Sequence, residues 1–490
     1  MTRDFVLLAA LVGTLSAIHL ATLRDGQEWG DDFSLYVAHA RNLAEGRPYA
    51  DTGYIYNPNN PVVSPRAYPP IFPLLLVPVY LVFGMNLTAM KAFVILLFAA
   101  LLGVLATALR KRLSSSYVAA CLTLFALNPY VWQHKDRLLS ETPFMLFAYL
   151  ALFWAEKAGV ESKRRTALLW GLMAGSACYL AFGTRTVGAM LIPSILLTDW
   201  LRSRRIGIAS IAFVLSFLVG VALQKSLLLV EGSYLDQIVF EPALFARIAA
   251  SLPRAFGGFF DNGYSNAARL ALFVCASALA IWGFGARLRR GVTGYECFAV
   301  SSCLPLMIWP AAEYERRFLL PILPLFFLYA AEGIRLLPSA RMPRVEPFVA
   351  TTLVLAVGAS YAGAYSRIDS GPIGDGVSSP EAVELFSWIR DNTDPNDVFI
   401  FQKPKALALY GGRRALAHRR LDDPSRLAPT LRQHEATHLV VHRTSPLPVF
   451  QSSGRLVKAF VAAYPDRCEK VYETPGFRVY KLRPSGLASR

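Results

Sequence analysis

Two adjacent carboxylates, Asp31 and Asp32, follow the first long apolar run of this 490-residue sequence. They open the stretch WGDDFSLYVAHARNLAEGRPY, which predicts an amphipathic helix with an apolar side made of Leu35, Val37, Ala38 and Leu43. Carboxylates at this place either cap the helix or belong to an acidic site. Because neighbouring side chains on a helix point about 100° apart, we expect Asp31 and Asp32 to reach different targets.

A third acid, Glu141, stands where another apolar stretch begins, in SETPFMLFAYLALF. Ser140 to Pro143 is also typical of an ordinary helix start, so capping is the alternative here too. Cations accompany the acids, each beside or between apolar segments: Arg66 just before Tyr68 and its paired prolines, Arg185 in AFGTRTVG, and Arg316 with Arg317 in EYERRFLLPILP. Arginine in such surroundings needs a partner or a function, and guanidinium groups suit phosphate. Together these residues predict a cavity with carboxylates and phosphate-binding cations.

The elements that carry these residues are membrane spans. Apolar residues make up 54% of the sequence and the mean hydropathy is +0.38, which is high for a water-soluble protein. We predict eleven spans, near residues 5–23, 86–109, 116–132, 142–156, 167–183, 186–201, 206–230, 267–286, 295–311, 318–336 and 347–365.

The net charge of +16 follows the spans and does not require a nucleic acid. Basic residues cluster between apolar runs, at Arg110–Arg112, Lys163–Arg165, Arg202–Arg205, Arg287–Arg290 and Arg335–Arg344. If the proline-rich segment Pro69–Gly84 lies in the membrane interface, all these clusters fall on one side, as the positive-inside rule expects. The first loop and the C-terminal segment then lie on the extracytoplasmic side.

We therefore expect an all-α polytopic membrane domain over residues 1–366, with a first extracytoplasmic loop over 24–85. A linker over 367–380 would lead to a small α+β domain over 381–490. Within that domain, PEAVELFSWIRDN and KALALYGG predict helices, DVFIF and THLVVHR predict strands, and VYETPGFRVYKLR predicts a hairpin.

The sequence also contains one candidate zinc-binding motif, HExxH, over His434 to His438. A zinc site of this kind needs both histidines on one face of a helix. His438 begins THLVVHR, which reads as a strand, so we expect no metal site here. No cofactor is indicated elsewhere, although a divalent metal is compatible with the acids.

In these residues the chain resembles the GT-C glycosyltransferase superfamily, specifically the bacterial relatives of protein O-mannosyltransferases and the lipid A aminoarabinose transferase. The similarity runs in order through the acidic pair, YPPIFPLLLVPVYLVFG, SETPF, GLMAGSACYLAFGTRTVGAMLIPSILL, RRFLLPILPLFFLYAAEG and WIRDNTDPNDVFIF, and covers most of the chain.

The resemblance implies a multi-pass enzyme of the bacterial inner membrane that transfers a single sugar, hexose or pentose, with inversion. Its donor would be a polyprenyl-phosphate sugar, and its acceptor a lipid, glycan or protein on the extracytoplasmic face. By position, Asp31 would be the general base and Glu141 would orient the acceptor. The lipid A enzymes have a lysine before the paired prolines and an arginine three residues after the first acid, where this chain has Tyr68 and Ser34. Aminoarabinose as the sugar is thus in doubt, and Arg66 or Arg185 must supply the charge that neutralises the leaving phosphate.

Two other classes stay open. A transporter or flippase for a lipid-linked sugar would carry charges near the middle of several spans and broken helices at matching points of an internal repeat. A non-catalytic scaffold would tolerate any loop pattern. The charges here lie mainly at span ends and no repeat is evident, which favours the enzyme.

Overall fold

The structure is a computed structural model that describes residues 3–58, 60, 64–228, 238, 240–260, 267–309, 316–337, 344–418 and 427–483. Parts of the stretch between the predicted spans 206–230 and 267–286, and part of the Arg335–Arg344 cluster, lie outside these residues. The chain divides into two compact units. The first comprises Met1–Leu23, Lys91–Leu228 and Ile238–Ser370, and the second joins Arg24–Met90 to Gly371–Arg490.

The described residues form these α-helices, in chain order: α1 (Arg3–Ala21), α2 (Asp32–Ala44), α3 (Ile71–Phe83), α4 (Leu87–Leu109), α5 (Ser115–Ala126), α6 (Pro129–His134), α7 (Glu141–Val160), α8 (Arg164–Thr184), α9 (Leu191–Ser203), α10 (Ile208–Leu227), α11 (Pro242–Gly257), α12 (Ala267–Arg290), α13 (Gly294–Ser301), α14 (Leu323–Arg335), α15 (Val345–Tyr365), α16 (Pro380–Asn392), α17 (Pro404–Gly411), α18 (Leu427–Gln433) and α19 (Pro448–Ala463). The strands are β1 (Val398–Ile400), β2 (Arg414–Leu416), β3 (His438–His442), β4 (Cys468–Glu473) and β5 (Phe477–Leu482). The predicted fold class, a helical multi-pass membrane domain with a small C-terminal α+β segment, is confirmed.

Every one of the eleven predicted spans contains helix. Within the described residues, seven helices are long and apolar enough to cross a membrane: Arg3–Ala21, Leu87–Leu109, Arg164–Thr184, Ile208–Leu227, Ala267–Arg290, Arg316–Arg335 with its 3-10 start, and Val345–Tyr365. Helix α3 has 13 residues and measures about 20 Å, against about 30 Å for a bilayer core. This length is compatible with the predicted place of α3 in the membrane interface.

A five-stranded mixed sheet in the order β2-β1-β3-β5-β4 organises the second unit. Strand β1 pairs in parallel with β2 and β3, and β5 pairs antiparallel with β3 and β4. The helices, strands and hairpin predicted for this segment are found at α16, β1, α17, β3 and β4–β5. Strand β2 and helices α18 and α19 were not predicted from the sequence.

Residues of the first loop extend this sheet. The amide of Ile55 donates to Ala415 O (2.8 Å) and the amide of Ala415 donates to Gly53 O (3.0 Å), so the loop adds a short parallel segment beside β2. Gly53 has φ +77°, a conformation that glycine adopts without strain. The first loop and the C-terminal segment therefore share one folded unit.

The predicted linker residues also pair with the first loop. The amides of Ile373 and Val377 donate to Asp25 O (2.8 Å) and Gln27 O (3.1 Å). A Cβ at Gly376 would lie 1.9 Å from Gln27 O, so the close approach of the two chains requires glycine there.

Candidate active site

Trp29 fixes the chain just before the acidic pair. Its indole is 1% exposed and is surrounded, mostly edge to face, by the rings of Phe386, Phe401, His442, Phe450 and Phe477. The indole N–H donates to Asp375 Oδ1 at 2.8 Å. Since a packed tryptophan with a satisfied N–H has little freedom, the backbone two residues later, at Asp31, is held in place.

Asp31 does not cap its own helix. Its backbone is already helical (φ −74°, ψ −23°), and its side chain makes no capping hydrogen bond to α2. The Oδ1 atom instead accepts a hydrogen bond from the amide of Ala406, in the first turn of α17, at 3.3 Å. Asp31 is therefore turned away from the capping role that the sequence left open.

A buried lysine, Lys405 of α17, joins the acidic pair. Its Nζ lies 3.3 Å from Asp32 Oδ1 and 3.7 Å from Asp31 Oδ2, and donates to the hydroxyl of Tyr68 at 2.8 Å. The exposed fractions of the side chains are 3% for Lys405, 13% for Asp31 and 22% for Asp32. Both acids thus lie within reach of one long side chain from another element. That they differ in their reach toward an acceptor stays a prediction.

Tyr68 is held as firmly as the acids. Its amide donates to His39 Nε2 (3.2 Å) and its carbonyl accepts from the hydroxyl of Tyr49 (2.8 Å), while its own hydroxyl donates to Asp32 Oδ1. Burial lowers the pKa of His39 to about 4, so the ring is neutral and its Nε2 accepts. The Lys405 ammonium, the Tyr68 hydroxyl and the Asp32 carboxylate thus form a continuous hydrogen-bonded chain.

Helix α2, which carries the acids, is buried on nearly every side. The prediction of a single apolar side is wrong: polar Ser34, His39 and Asn42 are buried together with the apolar residues. The reason is that α2 packs against both α3 and α17. The side-chain nitrogen of Asn42 donates to the carbonyls of Pro48, Tyr49 and Asp51, whereas its Oδ1 has no hydrogen-bond partner among the described residues.

The electrostatics of Asp31 suit a base. Burial raises the pKa of this carboxyl, and Lys405 and then Lys403 partly offset the rise. A carboxylate whose pKa is raised toward the working pH is a better proton acceptor than a solvated one.

A second cluster forms in the first unit around Glu141, the first residue of α7. Glu141 Oε1 accepts from Arg185 (2.7 Å) and lies 3.9 Å from Arg317 Nε, while Arg185 also donates to the hydroxyl of Ser140 (3.1 Å). The Glu141 side chain is 2% exposed, and Oε2 has no hydrogen-bond partner among the described residues. Both guanidinium groups lie near the ring of Phe318, with the Cζ atoms of Arg185 and Arg317 at 5.4 and 5.2 Å from the ring centre.

Arg185 occupies a break between helices, as its sequence context suggested. Helix α8 ends at Thr184, Arg185 is extended (φ −147°, ψ 131°), and a 3-10 turn over Thr186–Met190 leads into α9. The extended backbone turns the side chain toward the start of α7.

The other two predicted cations stand apart. Arg316 donates to Gly258 O (2.8 Å) and lies over the ring of Tyr130 (5.2 Å), away from Glu141. Arg66 is exposed, although Tyr68 two residues later is buried among the acids. The structure thus groups Asp31, Asp32 and Tyr68 in one unit, and Glu141, Arg185 and Arg317 in the other.

Sequence reasoning missed Lys405. A signal was present, because this lysine stands in PKALALYG, an otherwise apolar helix that had to be buried. A lysine in a buried helix requires an acidic partner.

The HExxH residues do not share a helix. Helix α18 ends before His434, Glu435 has a positive φ of 49°, and His438 begins β3, as predicted. In the part of the chain that the structure describes, no three His, Cys, Asp or Glu side chains form a group able to hold a metal.

A cavity of about 220 Å³ in the first unit belongs to neither cluster. Its lining includes Glu156, Asp199, Arg202 and Ser210. Glu156 is 15 residues beyond Glu141 on α7, or about 22 Å along the helix axis.

No known family profile and no curated protein matches this chain by sequence. Its fold, however, is that of solved GT-C glycosyltransferases. ArnT from Cupriavidus metallidurans, bound to undecaprenyl phosphate, superposes with a TM-score of 0.61 at 13% identity, over 99% of both chains.

Two further structures share the fold. The oligosaccharyltransferase of Archaeoglobus fulgidus aligns with a TM-score of 0.58 at 10% identity, over 96% of this chain and 74% of its own. The arabinofuranosyltransferase AftD from Mycobacteria aligns at 0.52 and 16% identity, over 98% of this chain and 40% of its own. The resemblance found in the sequence is therefore confirmed for the fold.

Proposed function

We propose that this chain is an inverting glycosyltransferase of the bacterial inner membrane, which moves one sugar from a polyprenyl-phosphate donor to a hydroxyl group. The acceptor is a lipid, glycan or protein on the extracytoplasmic face. The observation that carries the proposal is the buried cluster of Asp31, Asp32, Tyr68 and Lys405. The chain that forms it has the fold of solved glycosyltransferases, one of which is bound to undecaprenyl phosphate.

In this reaction Asp31 is the base. It removes the proton of the acceptor hydroxyl as that oxygen attacks the anomeric carbon from the face opposite the phosphate. The bond between the anomeric carbon and the phosphate oxygen breaks, its electron pair goes to the phosphate, and the configuration inverts.

Each cluster, taken by itself, has a formal charge that suits one chemical role. Asp31, Asp32 and Lys405 sum to −1, which suits a group that accepts a proton. Glu141, Arg185 and Arg317 sum to +1, which suits a group that neutralises a leaving phosphate. We assign the phosphate to Arg185 and Arg317. Glu141 orients these arginines.

The test is Asp31→Asn, which keeps the shape of the side chain and removes its basicity. A deletion strain is complemented with wild type or variant, and its surface glycans and lipids are compared by mass spectrometry. Wild type should restore a mass increment of one sugar residue. Loss of a general base costs about 10² to 10⁴-fold in rate, so Asp31→Asn should not restore it.

The matched control is Asp466→Asn, an exposed acid of the same unit, which should restore the increment fully. Full restoration by Asp31→Asn at equal protein level would refute the base assignment. Identical glycans and lipids in the wild-type and deletion strains would refute the transferase itself.

A further inference from the structure

Lys405 is the only charged residue of a buried helix. Helix α17 reads PKALALYG, and its residues Ala406, Leu407, Ala408 and Leu409 are buried with it. Burying an ammonium group is costly unless acids and hydrogen bonds compensate it. The compensation comes from the distant first loop, through Asp31, Asp32 and the hydroxyl of Tyr68.

We propose that Lys405 is a positioning residue of the glycosyltransferase. It holds the Asp31 carboxylate in place and in its anionic form, so that the C-terminal segment keeps Asp31 ready to act as the base. This inference rests on the proposed function, in which Asp31 takes the proton.

Geometry supports this role in three ways. Helix α17 contacts both carboxylate oxygens of Asp31: Oδ1 accepts from the amide of Ala406, and Oδ2 faces the ammonium of Lys405. Asp32 accepts from both Lys405 and Tyr68, so its charge is drawn away from Asp31. The rings of Tyr54 and Tyr68 lie 5.5 and 5.0 Å from Nζ and shield the ammonium from water.

Removal of the ammonium has a defined electrostatic result. The ionisable groups that face Asp31 and Lys405 are Asp32, Lys403, Tyr54, Tyr68 and the neutral His39. Without Lys405, two neighbouring carboxylates share a buried place, and such a pair retains a proton at higher pH. Asp31 would then be protonated at the pH at which it has to act as a base.

Phosphate binding by Lys405 is the less favourable role. Its side chain is 3% exposed, and the two carboxylates already outweigh its charge. A phosphate that reached the ammonium would lie beside both carboxylates and be repelled by them.

The experiment compares Lys405→Gln, Lys405→Arg and the control Lys458→Gln, an exposed lysine of α19 in the same unit. Purified full-length proteins are treated with dicyclohexylcarbodiimide, which modifies protonated carboxyl groups, over a range of pH. Mass spectrometry then measures the labelled fraction of Asp31. In Lys405→Gln the midpoint should rise by about one pH unit or more, which is tenfold in the proton affinity of Asp31. In Lys405→Arg and Lys458→Gln it should stay at the wild-type value.

Sugar transfer gives the second readout, measured in complemented deletion cells against pH. In the plot of sugar transfer against pH, the acid limb of Lys405→Gln should move to higher pH together with the labelling midpoint. Lys405→Arg should have the acid limb of the wild type. Lys405→Gln leaves both Asp31 and Asp32 without the ammonium that compensates their charge. The comparison is therefore repeated in an Asp32→Asn background, in which Asp31 is the one remaining acid of the pair.

An unchanged labelling midpoint in Lys405→Gln overturns the proposal, as does equal loss of transfer at every pH in Lys405→Gln and Lys405→Arg. A rise in the donor concentration needed for half-maximal transfer, without a shift of the limb, would make Lys405 a phosphate ligand instead. If the midpoint shifts but wild type transfers no sugar, the hold of Lys405 on Asp31 stands and the proposed function fails.

Discussion

Arg185 and Arg66, two predicted phosphate ligands, differ in what surrounds the guanidinium group. Arg185 is bound to Glu141 and Ser140 and faces the ring of Phe318, whereas Arg66 is exposed. An arginine that is already oriented loses less conformational entropy when it binds an anion, and a partly dehydrated one binds more strongly. Of the two, we therefore expect Arg185 to be the better phosphate ligand.

We expect Arg185→Ala to weaken use of the donor more than Arg66→Ala does. Loss of a charge-assisted contact costs about 1.5 to 3 kcal/mol, or roughly 10 to 150-fold in the donor concentration needed for half-maximal transfer. The measurement titrates a lipid extract of the native membrane against purified protein. The control is Arg483→Ala, an exposed arginine paired only loosely with Glu469 (3.7 Å). Unchanged donor dependence in Arg185→Ala would remove this residue from the donor site.

The sequence showed which charged residues to single out, but not which residues they pair with. Asp31, Glu141 and Arg185 were found because each interrupts an apolar context, where charge is costly. Their partners could not be read from spacing. Lys405 follows Asp31 by several hundred residues, and only the fold of the second unit brings them together.

At the scale of elements, the long apolar helices were predictable because their signal is local. Hydropathy over about 20 residues is sufficient to find a span. Strand β2 and the short loop segment at Gly53–Ile55 were not found, because three-residue strands are defined by their hydrogen-bond partners. The burial of α2 on both faces likewise depends on α17, which belongs to a distant part of the sequence.

Small residues allow two helices of the first unit to pack closely. A Cβ at Gly283 of α12 would lie 2.0 Å from Tyr329 O of α14, and one at Gly333 would lie 2.1 Å from Leu279 O. Gly285, two residues along α12, faces open space, because no atom lies within 4 Å of the position that its Cβ would take. In a membrane such close contacts contribute packing that Leu-rich surfaces cannot.

We expect Gly283→Ala to destabilise the protein by about 1 to 3 kcal/mol, since the added methyl group forces the helices apart. Gly285→Ala is the matched control. It should leave stability unchanged or raise it by a few tenths to about 1 kcal/mol, because alanine favours helix. The measurement is the monodisperse fraction after heating in detergent, followed by size-exclusion chromatography. Equal midpoints for the two variants would contradict close packing at Gly283.

At the scale of the whole molecule, the basic clusters meet at one end of the first unit. Lys111 and Arg112 pair with Glu156 near the end of α7 (2.9 and 3.1 Å), and Arg335 donates to Arg112 O (2.7 Å). Arg287 lies near Glu332 of α14 (3.8 Å). Three clusters that were separate in the sequence are thus brought to the same end.

Glu141 stands at the opposite end of α7 from this basic group, about 22 Å from Glu156 along the axis. By the positive-inside rule we expect the basic end to be cytoplasmic and the Glu141 cluster to lie toward the extracytoplasmic side. We also expect α3, with 13 residues, to lie in the interface without crossing, in which case the first loop is extracytoplasmic.

We therefore expect the loop over residues 157–166 to be cytoplasmic and the C-terminus to be extracytoplasmic. Alkaline phosphatase, which is active only outside the cytoplasm, should be active when fused after Arg490 and inactive when inserted in the 157–166 loop. Green fluorescent protein, which matures in the cytoplasm, should give the reverse pattern. A fluorescent fusion at Arg490 would mean that α3 or another short helix crosses the membrane, and it would move the C-terminal segment with Lys405 to the cytoplasmic side.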